Sequence, residues 1–146
     1  MFPVMTAYKG SSATTSMVND VVQQAGGIPY QVSNLMGAVQ LLSEQHPAVL
    51  IIGESFDNSN VLDVIPVFKH LQKNMKIILL ADNATEGFLR QARAAGIFYH
   101  ALEPNDAEDC QELKLALECA KQASEQKSST LWKKLAPLFG AGHAAS

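Results

Sequence analysis

Two cysteines, one tryptophan and no excess of positive charge set the first limits on this 146-residue sequence. Cys110 and Cys119 are too few and too badly spaced for a disulfide framework or a zinc site, so two reduced, buried thiols are expected. The histidines at 46, 70, 100 and 143 form no i, i+4 pair, which leaves a metal centre without support. Lys and Arg number 11 against 14 Asp and Glu, a formal net charge of −3, whereas nucleic-acid binders concentrate basic residues. Apolar runs such as residues 48–52 are far too short to span a bilayer. The N-terminus lacks a basic stretch followed by a long apolar core, so no signal peptide is expected and the location read is cytoplasmic. Neither GxxxxGK[ST] nor GxGxxG occurs, so the two commonest nucleotide loops are missing.

What is present is a regular alternation. Residues are 47% hydrophobic, enough for one domain with a substantial core. Residues 2–8 read as a strand, 12–25 as a helix with Val18, Val21 and Val22 on one face, and 28–32 as a second short strand. Asn34 is placed to cap a helix running to Gln45, with a core face expected at Met36, Val39 and Leu42, and Leu41 beside it. Residues 48–52 form a continuous apolar run, the pattern of a parallel strand covered on both faces. A polar loop at 53–60 leads to a helix carrying Val64, Phe68 and Leu71, in which Pro66 is tolerable only within the first turn. Residues 76–80 are another buried strand, 85–95 a helix closed by Gly96, and 97–102 a fifth strand, with one of Phe98 and Tyr99 facing the core. A last helix spans 106–123, its apolar face at Leu113, Ala116, Leu117 and Ala120. Five strands alternating with five helices predict right-handed βαβ units and a three-layer α/β/α fold around a parallel sheet. Ligands of such sheets lie beyond the carboxyl ends of the strands, which here carry Tyr8-Lys9-Gly10, Gly53-Glu54, Ala81-Asp82 and Glu103-Pro104.

Three stretches then resemble the receiver (CheY-like) domains of bacterial two-component response regulators. AGGIPYQVSNLMGAVQLLSEQHPAVLII is similar to that family's second strand, second helix and third strand, and KIILLAD to its fourth strand. RAAGIFYHALEP is similar to its Ala-Gly-Ala-Asp-Asp-Tyr-Leu-Thr-Lys-Pro segment, without a gap from Ala95 to Pro104. The resemblance covers about residues 3–123, within a receiver-like domain read as 1–123, and implies the flavodoxin-like strand order 2-1-3-4-5. It also implies a chemistry that these residues cannot supply. Receivers transfer a phosphoryl group to an aspartate at the end of the third strand, aided by acidic residues after the first strand that hold Mg²⁺. A hydroxyl after the fourth strand and a lysine after the fifth bind the phosphoryl oxygens. Here the nucleophile position is Gly53, and the acidic pair falls on Tyr8-Lys9 or Lys9-Gly10. The hydroxyl position is Ala81, the lysine position is Glu103, and the switch aromatic is His100. The expected fold is thus a degenerate pseudo-receiver with no catalytic, metal or cofactor residues, its vestigial pocket made of Tyr8, Lys9, Gly10, Gly53, Ala81 and Glu103.

Other readings of these residues stand beside that one. Glu54 lies one residue beyond the nucleophile position and turns the other way along a strand; Asp57 lies further into the loop. Lys9 and Glu103 form either a swapped ion pair, worth only ~0–1 kcal/mol when exposed, or two solvated ends that never meet. His100 is either a pH-responsive contact on the face of the fourth helix, fifth strand and fifth helix, or an ordinary strand histidine. The run GSSATTS from Gly10 to Ser16 suits the anion-binding loop of a flavodoxin, or simply caps the first helix through Ser11, Ser12 or Thr14. Against a flavin, the later loops offer only Phe56 as an aromatic. Residues 124–146 read as a polar linker and an amphipathic tail, with Leu131, Trp132, Leu135, Leu138 and Phe139 on one face of a short helix. That stripe either folds back on its own domain or docks in a partner's groove. The tail is too short for a DNA-binding unit. The function expected is a protein-interaction module in signal transduction, its partner a signalling protein, a component linked to a histidine kinase, or a second copy of the chain. No nucleic acid and no membrane insertion are expected. The alternatives are an atypical phosphorylated regulator and a flavodoxin-like anion binder.

Overall fold

A computed structural model of the chain describes residues 1–126. Five parallel strands form the sheet: β1 (Phe2–Ala7), β2 (Gly27–Gln31), β3 (Val49–Ile52), β6 (Lys76–Leu80) and β7 (Tyr99–Ala101). Between β3 and β6 in the chain lies a small antiparallel hairpin of β4 (Ser55–Phe56) and β5 (Ser59–Asn60). The spatial order is β2-β1-β3-β6-β7. The order expected as 2-1-3-4-5 reads this way because the hairpin intervenes in the count. The helices are α1 (Ser12–Gln24), α2 (Leu35–Gln45), α3 (Val61–Leu71), α4 (Glu86–Ala95) and α5 (Ala107–Gln126).

Period-two alternation of the strand side chains makes two cores. Met5, Ala7, Leu50, Ile52, Ile77 and Leu79 pack toward α2, α3 and α4, while Val4, Tyr8, Val49, Ile51, Ile78 and Leu80 pack toward α1 and α5. All four residues of β3 are fully buried, as a central parallel strand requires. On α1 the buried face is Val18, Val21 and Val22, and on α5 it is Leu113, Ala116, Leu117 and Ala120, both as expected. Caps fix the helix starts: Ser11 for α1, Asn34 for α2, Asn60 for α3 and Thr85 for α4 each accept a backbone N–H through the side-chain oxygen.

Several expectations are corrected. On α2 the core face is Ala38 and Leu42, whereas Met36 is 80% exposed and Val39 is 40% exposed. The small Ala38 lets the helix lie close to the sheet and rotates the larger residues outward. Leu71, at the last turn of α3, points to solvent. Pro66 lies in the interior of α3 rather than its first turn; it sits on the solvent side, where its ring displaces no core packing. The fifth core strand shrinks to Tyr99–Ala101, and neither Phe98 nor Tyr99 is core. At an edge strand of three residues, both side chains reach past the sheet. The two thiols are free, yet Cys110 is only half-buried and Cys119 is exposed. The loop 53–60 is the β4–β5 hairpin, turned by Asp57 and Asn58, which both adopt positive φ as a two-residue primed turn requires. Phe56 anchors the hairpin to Phe68 of α3 with ring centroids 6.0 Å apart. Among the described residues no helix is long and apolar enough to cross a membrane. The tail stripe Leu131, Trp132, Leu135, Leu138 and Phe139 lies outside the described residues.

Candidate functional site at the carboxyl edge of the sheet

Parallel strands deliver their carboxyl ends to one edge, so the loops after β1, β3, β6 and β7 meet there. Tyr8 follows β1 and Gly53 follows β3, adjacent strands that pair Ala7 with Ile52. The Tyr8 ring lies across Gly53: a Cβ built on that glycine would stand 3.5 Å from Tyr8 Cδ1. The phenol is buried, and its hydroxyl donates to Glu103 Oε1 at 2.6 Å across a sequence separation of 95 residues. A distance this short marks a charge-assisted O–H···O⁻ bond. Burial first, then the Glu103 hydrogen bond and the Glu103 and Asp82 charges, push the Tyr8 phenol well above its ordinary pKa. Gly10 lacks a side chain for a local reason, because a Cβ there would overlap the Tyr8 hydroxyl.

The acceptor is itself held in place. Asp82 Oδ1, after β6, accepts the backbone N–H of Glu103 at 2.8 Å. Tyr8, Glu103 and Asp82 thus tie the ends of β1, β6 and β7 together. Below them, His100 Nε2 lies 2.8 Å from the Ala81 carbonyl; a carbonyl only accepts, so Nε2 carries the proton. Tyr8, Gly53 and Glu103, expected at one site, do come together. Ala81 lies beside them through its pairing to Ala101 and its contact with His100. Lys9 is exposed, and among the described residues no ion pair joins it to Glu103, which corrects the swapped-pair reading. The partner of Glu103 is the neighbouring phenol, because Tyr8 alternates inward where Lys9 points out.

Two roles escaped sequence reasoning. In the sequence Asp82 is a strand-end residue with no visible partner, and Tyr8 marks the absence of a carboxylate rather than a space-filling group. The signal for Tyr8 was available: a large aromatic faces one glycine on the next strand and is followed two residues later by another. The residues do not suit a divalent cation. Tyr8, Lys9, Gly10 and Gly53 bring no carboxylate, and no group of three potential ligands clusters among the described residues. The Ser/Thr run after β1 is used locally, with Ser11 Oγ 3.1 Å from the Thr14 N–H and 2.9 Å from Thr14 Oγ1.

The strand order and helix layers are those of a receiver-type α/β fold, and comparison with solved structures agrees. The beryllofluoride-activated NtrC4 receiver domain dimer matches with a TM-score of 0.71 at 16% identity, over 85% of this chain and 99% of that one. A response regulator receiver domain protein from Clostridium thermocellum matches with a TM-score of 0.71 at 15% identity, over 86% and 98% of the two chains. HP1043, an orphan response regulator of H. pylori, matches with a TM-score of 0.68 at 14% identity, over 82% and 96%. No protein-family model and no curated protein matches the sequence. At these identities the likeness establishes the fold: this chain has the receiver-domain fold.

Proposed function

We propose that this protein is a pseudo-receiver: a non-catalytic, cytoplasmic, receiver-fold module that regulates signal transduction by binding another protein, without aspartyl phosphorylation. The observation that carries the reading is the Tyr8 ring lying over Gly53 with its hydroxyl on Glu103. A receiver needs a carboxylate nucleophile, a cation site and a lysine in this place; here stand a glycine, a phenol and a carboxylate. Phosphoryl oxygens brought here would meet the negative charge of Glu103, with Lys9 the single cationic side chain lining the cleft at this edge. The nearby carboxylates do not replace the nucleophile: Asp57 Oδ2 is engaged by the Leu35 N–H at 3.0 Å, and Glu54 is exposed.

The partner surface in this reading is the face of α4, β7 and α5. Phe98, Tyr99 and Leu102 are exposed on or beside the edge strand β7, and Leu115 is exposed on α5. His100, on β7 itself, is turned inward to the Ala81 carbonyl. A second copy of the chain or another signalling protein covers it.

The test is incubation with acetyl phosphate and Mg²⁺ followed by intact-mass measurement. The expected spectrum is unchanged; a stoichiometric phosphoryl adduct overturns the proposal in favour of an atypical phosphorylated regulator.

A further inference from the structure

Between the end of β2 and the hairpin lies an open cleft of about 510 Å³, beyond the carboxyl ends of β1 and β3. These two strands flank the point where the chain order of the sheet reverses, the place where open α/β sheets bind ligands. The volume falls within the range of small-molecule sites. Its walls are joined: Asp57 at the hairpin tip accepts the Leu35 N–H at the start of α2, and Val32 N–H bonds the Thr6 carbonyl on β1. Val32, Phe56 and the Tyr8 ring supply apolar lining.

The rim is polar, and its groups are free. Lys9, Gln31, Ser33, Glu54, Ser55 and Asn58 line the cleft, and among the described residues none of their side chains has a hydrogen-bond or ion-pair partner. The other two charges at the cleft are committed, Asp57 to the Leu35 N–H and Glu103 to the Tyr8 hydroxyl. Asp57 and Glu103 keep their negative charge, so the cleft is acidic with one ammonium. Among the described residues, the two charged side chains at the cleft without a partner are Lys9 and Glu54, on the neighbouring loops after β1 and β3. A phosphate would find a single lysine against several carboxylates, and a simple cation would find Lys9 opposed to it. A ligand carrying both charges satisfies both groups.

We propose that the cleft binds a small zwitterion of amino-acid to dipeptide size, its carboxylate toward Lys9 and its ammonium toward Glu54. The amides and hydroxyls of Gln31, Ser33, Ser55 and Asn58 complete its hydrogen bonds, and its carbon body lies against Val32 and the Tyr8 ring. This goes beyond the pseudo-receiver reading and does not depend on it, since neither Lys9 nor Glu54 takes part in the Tyr8–Glu103–Asp82 network.

The experiment is titration of the ¹⁵N-labelled full chain with the proteinogenic L-amino acids and glycyl dipeptides, one at a time. A saturable set of amide shifts confined to residues 8–9, 31–33 and 53–58 is expected for at least one of them. Its affinity should fall at least about tenfold in Glu54→Gln and in Lys9→Met, the loss of one charge-assisted contact each. The amine and the carboxylic acid corresponding to each half of that ligand should each bind at least about tenfold more weakly than the whole. Both substitutions are at exposed positions, and unchanged shifts elsewhere in the spectrum show that the variants fold. No response to any zwitterion, a response away from the cleft, binding that survives both substitutions, or equal binding of the bare amine would each overturn the proposal.

Discussion

Replacing Tyr8 with Phe removes one oxygen and keeps the ring over Gly53, so it isolates the bond to Glu103. A hydrogen bond to a charged group contributes about 1.5–3 kcal/mol net. Tyr8 is 5% exposed but Glu103 is only half-buried, so water can solvate the carboxylate that the phenol leaves behind. The lower end, about 1.5 kcal/mol, is therefore expected, a fall in Tm on the order of 5 °C for a domain of this size. The loss carries a pH signature. Because the folded-state pKa of Tyr8 is raised above its ordinary 10.0, the phenol's contribution is fully present below that value. It is lost as the pH climbs through the raised one. Urea denaturation followed by circular dichroism should show Tyr8→Phe less stable near neutrality, with the gap to wild type closing in strong alkali. Near-ultraviolet titration of tyrosinate should show one of the three tyrosines ionising last and missing from the variant. Equal stability at neutral pH, together with three tyrosines titrating as one, would refute the reasoning. A cycle with Glu103→Ala completes the test, because contacting partners show a coupling of at least about 0.5 kcal/mol.

Two further substitutions probe the packing around that bond. Gly10→Ala places a methyl where the Tyr8 hydroxyl sits, so the ring must swing off Glu103; the expected result is a stability loss like that of Tyr8→Phe and the same loss of the late-ionising tyrosine, read by the same titration. Gly27→Ala puts a Cβ 3.0 Å from both Val22 Cγ1 and Val4 Cγ2, between α1 and β1, and overpacking there should cost about 1–3 kcal/mol in urea denaturation with the fold retained.

Much of the architecture was legible because parallel α/β folds announce themselves through burial. A run such as Val49–Ile52, apolar on both sides, has few homes other than a central parallel strand. The spacing of Ala95, Gly96 and Pro104 carries the family resemblance despite identities of 14–16% to the solved receivers. What failed did so where periodicity underdetermines orientation. On α2, with apolar residues at 35, 36, 38, 39, 41 and 42, several faces fit the pattern equally, and the smallest candidate, Ala38, took the buried place. The hairpin at 55–60 was too short to show alternation, and its sign was the turn chemistry of Asp57-Asn58. The site was legible as a set of absences, since missing carboxylates can be read from types alone. What fills the space depends on a contact between residues 95 positions apart, which no local pattern encodes.

The residues at the carboxyl edge are mutually dependent, which under the proposed pseudo-receiver reading is what a rebuilt site, rather than a decayed one, would show. The Tyr8 ring lies within van der Waals reach of Gly53, and Gly10 leaves the space for its hydroxyl. A buried phenol needs an acceptor. Glu103 supplies it from the place where a receiver would hold a lysine, whose ammonium could only donate. Asp82 then fixes the Glu103 backbone, so the acceptor is held at the strand ends rather than left on a free loop. Drift that merely erased a phosphorylation site would leave a solvated hollow with unpaired ends. Here Gly10, Tyr8, Glu103 and Asp82 depend on one another, and among the described residues no buried side-chain polar atom lacks a partner. The ends of β1, β6 and β7 are joined by the Tyr8–Glu103 and Glu103–Asp82 hydrogen bonds, and the proposed pseudo-receiver reading rests on that joined edge.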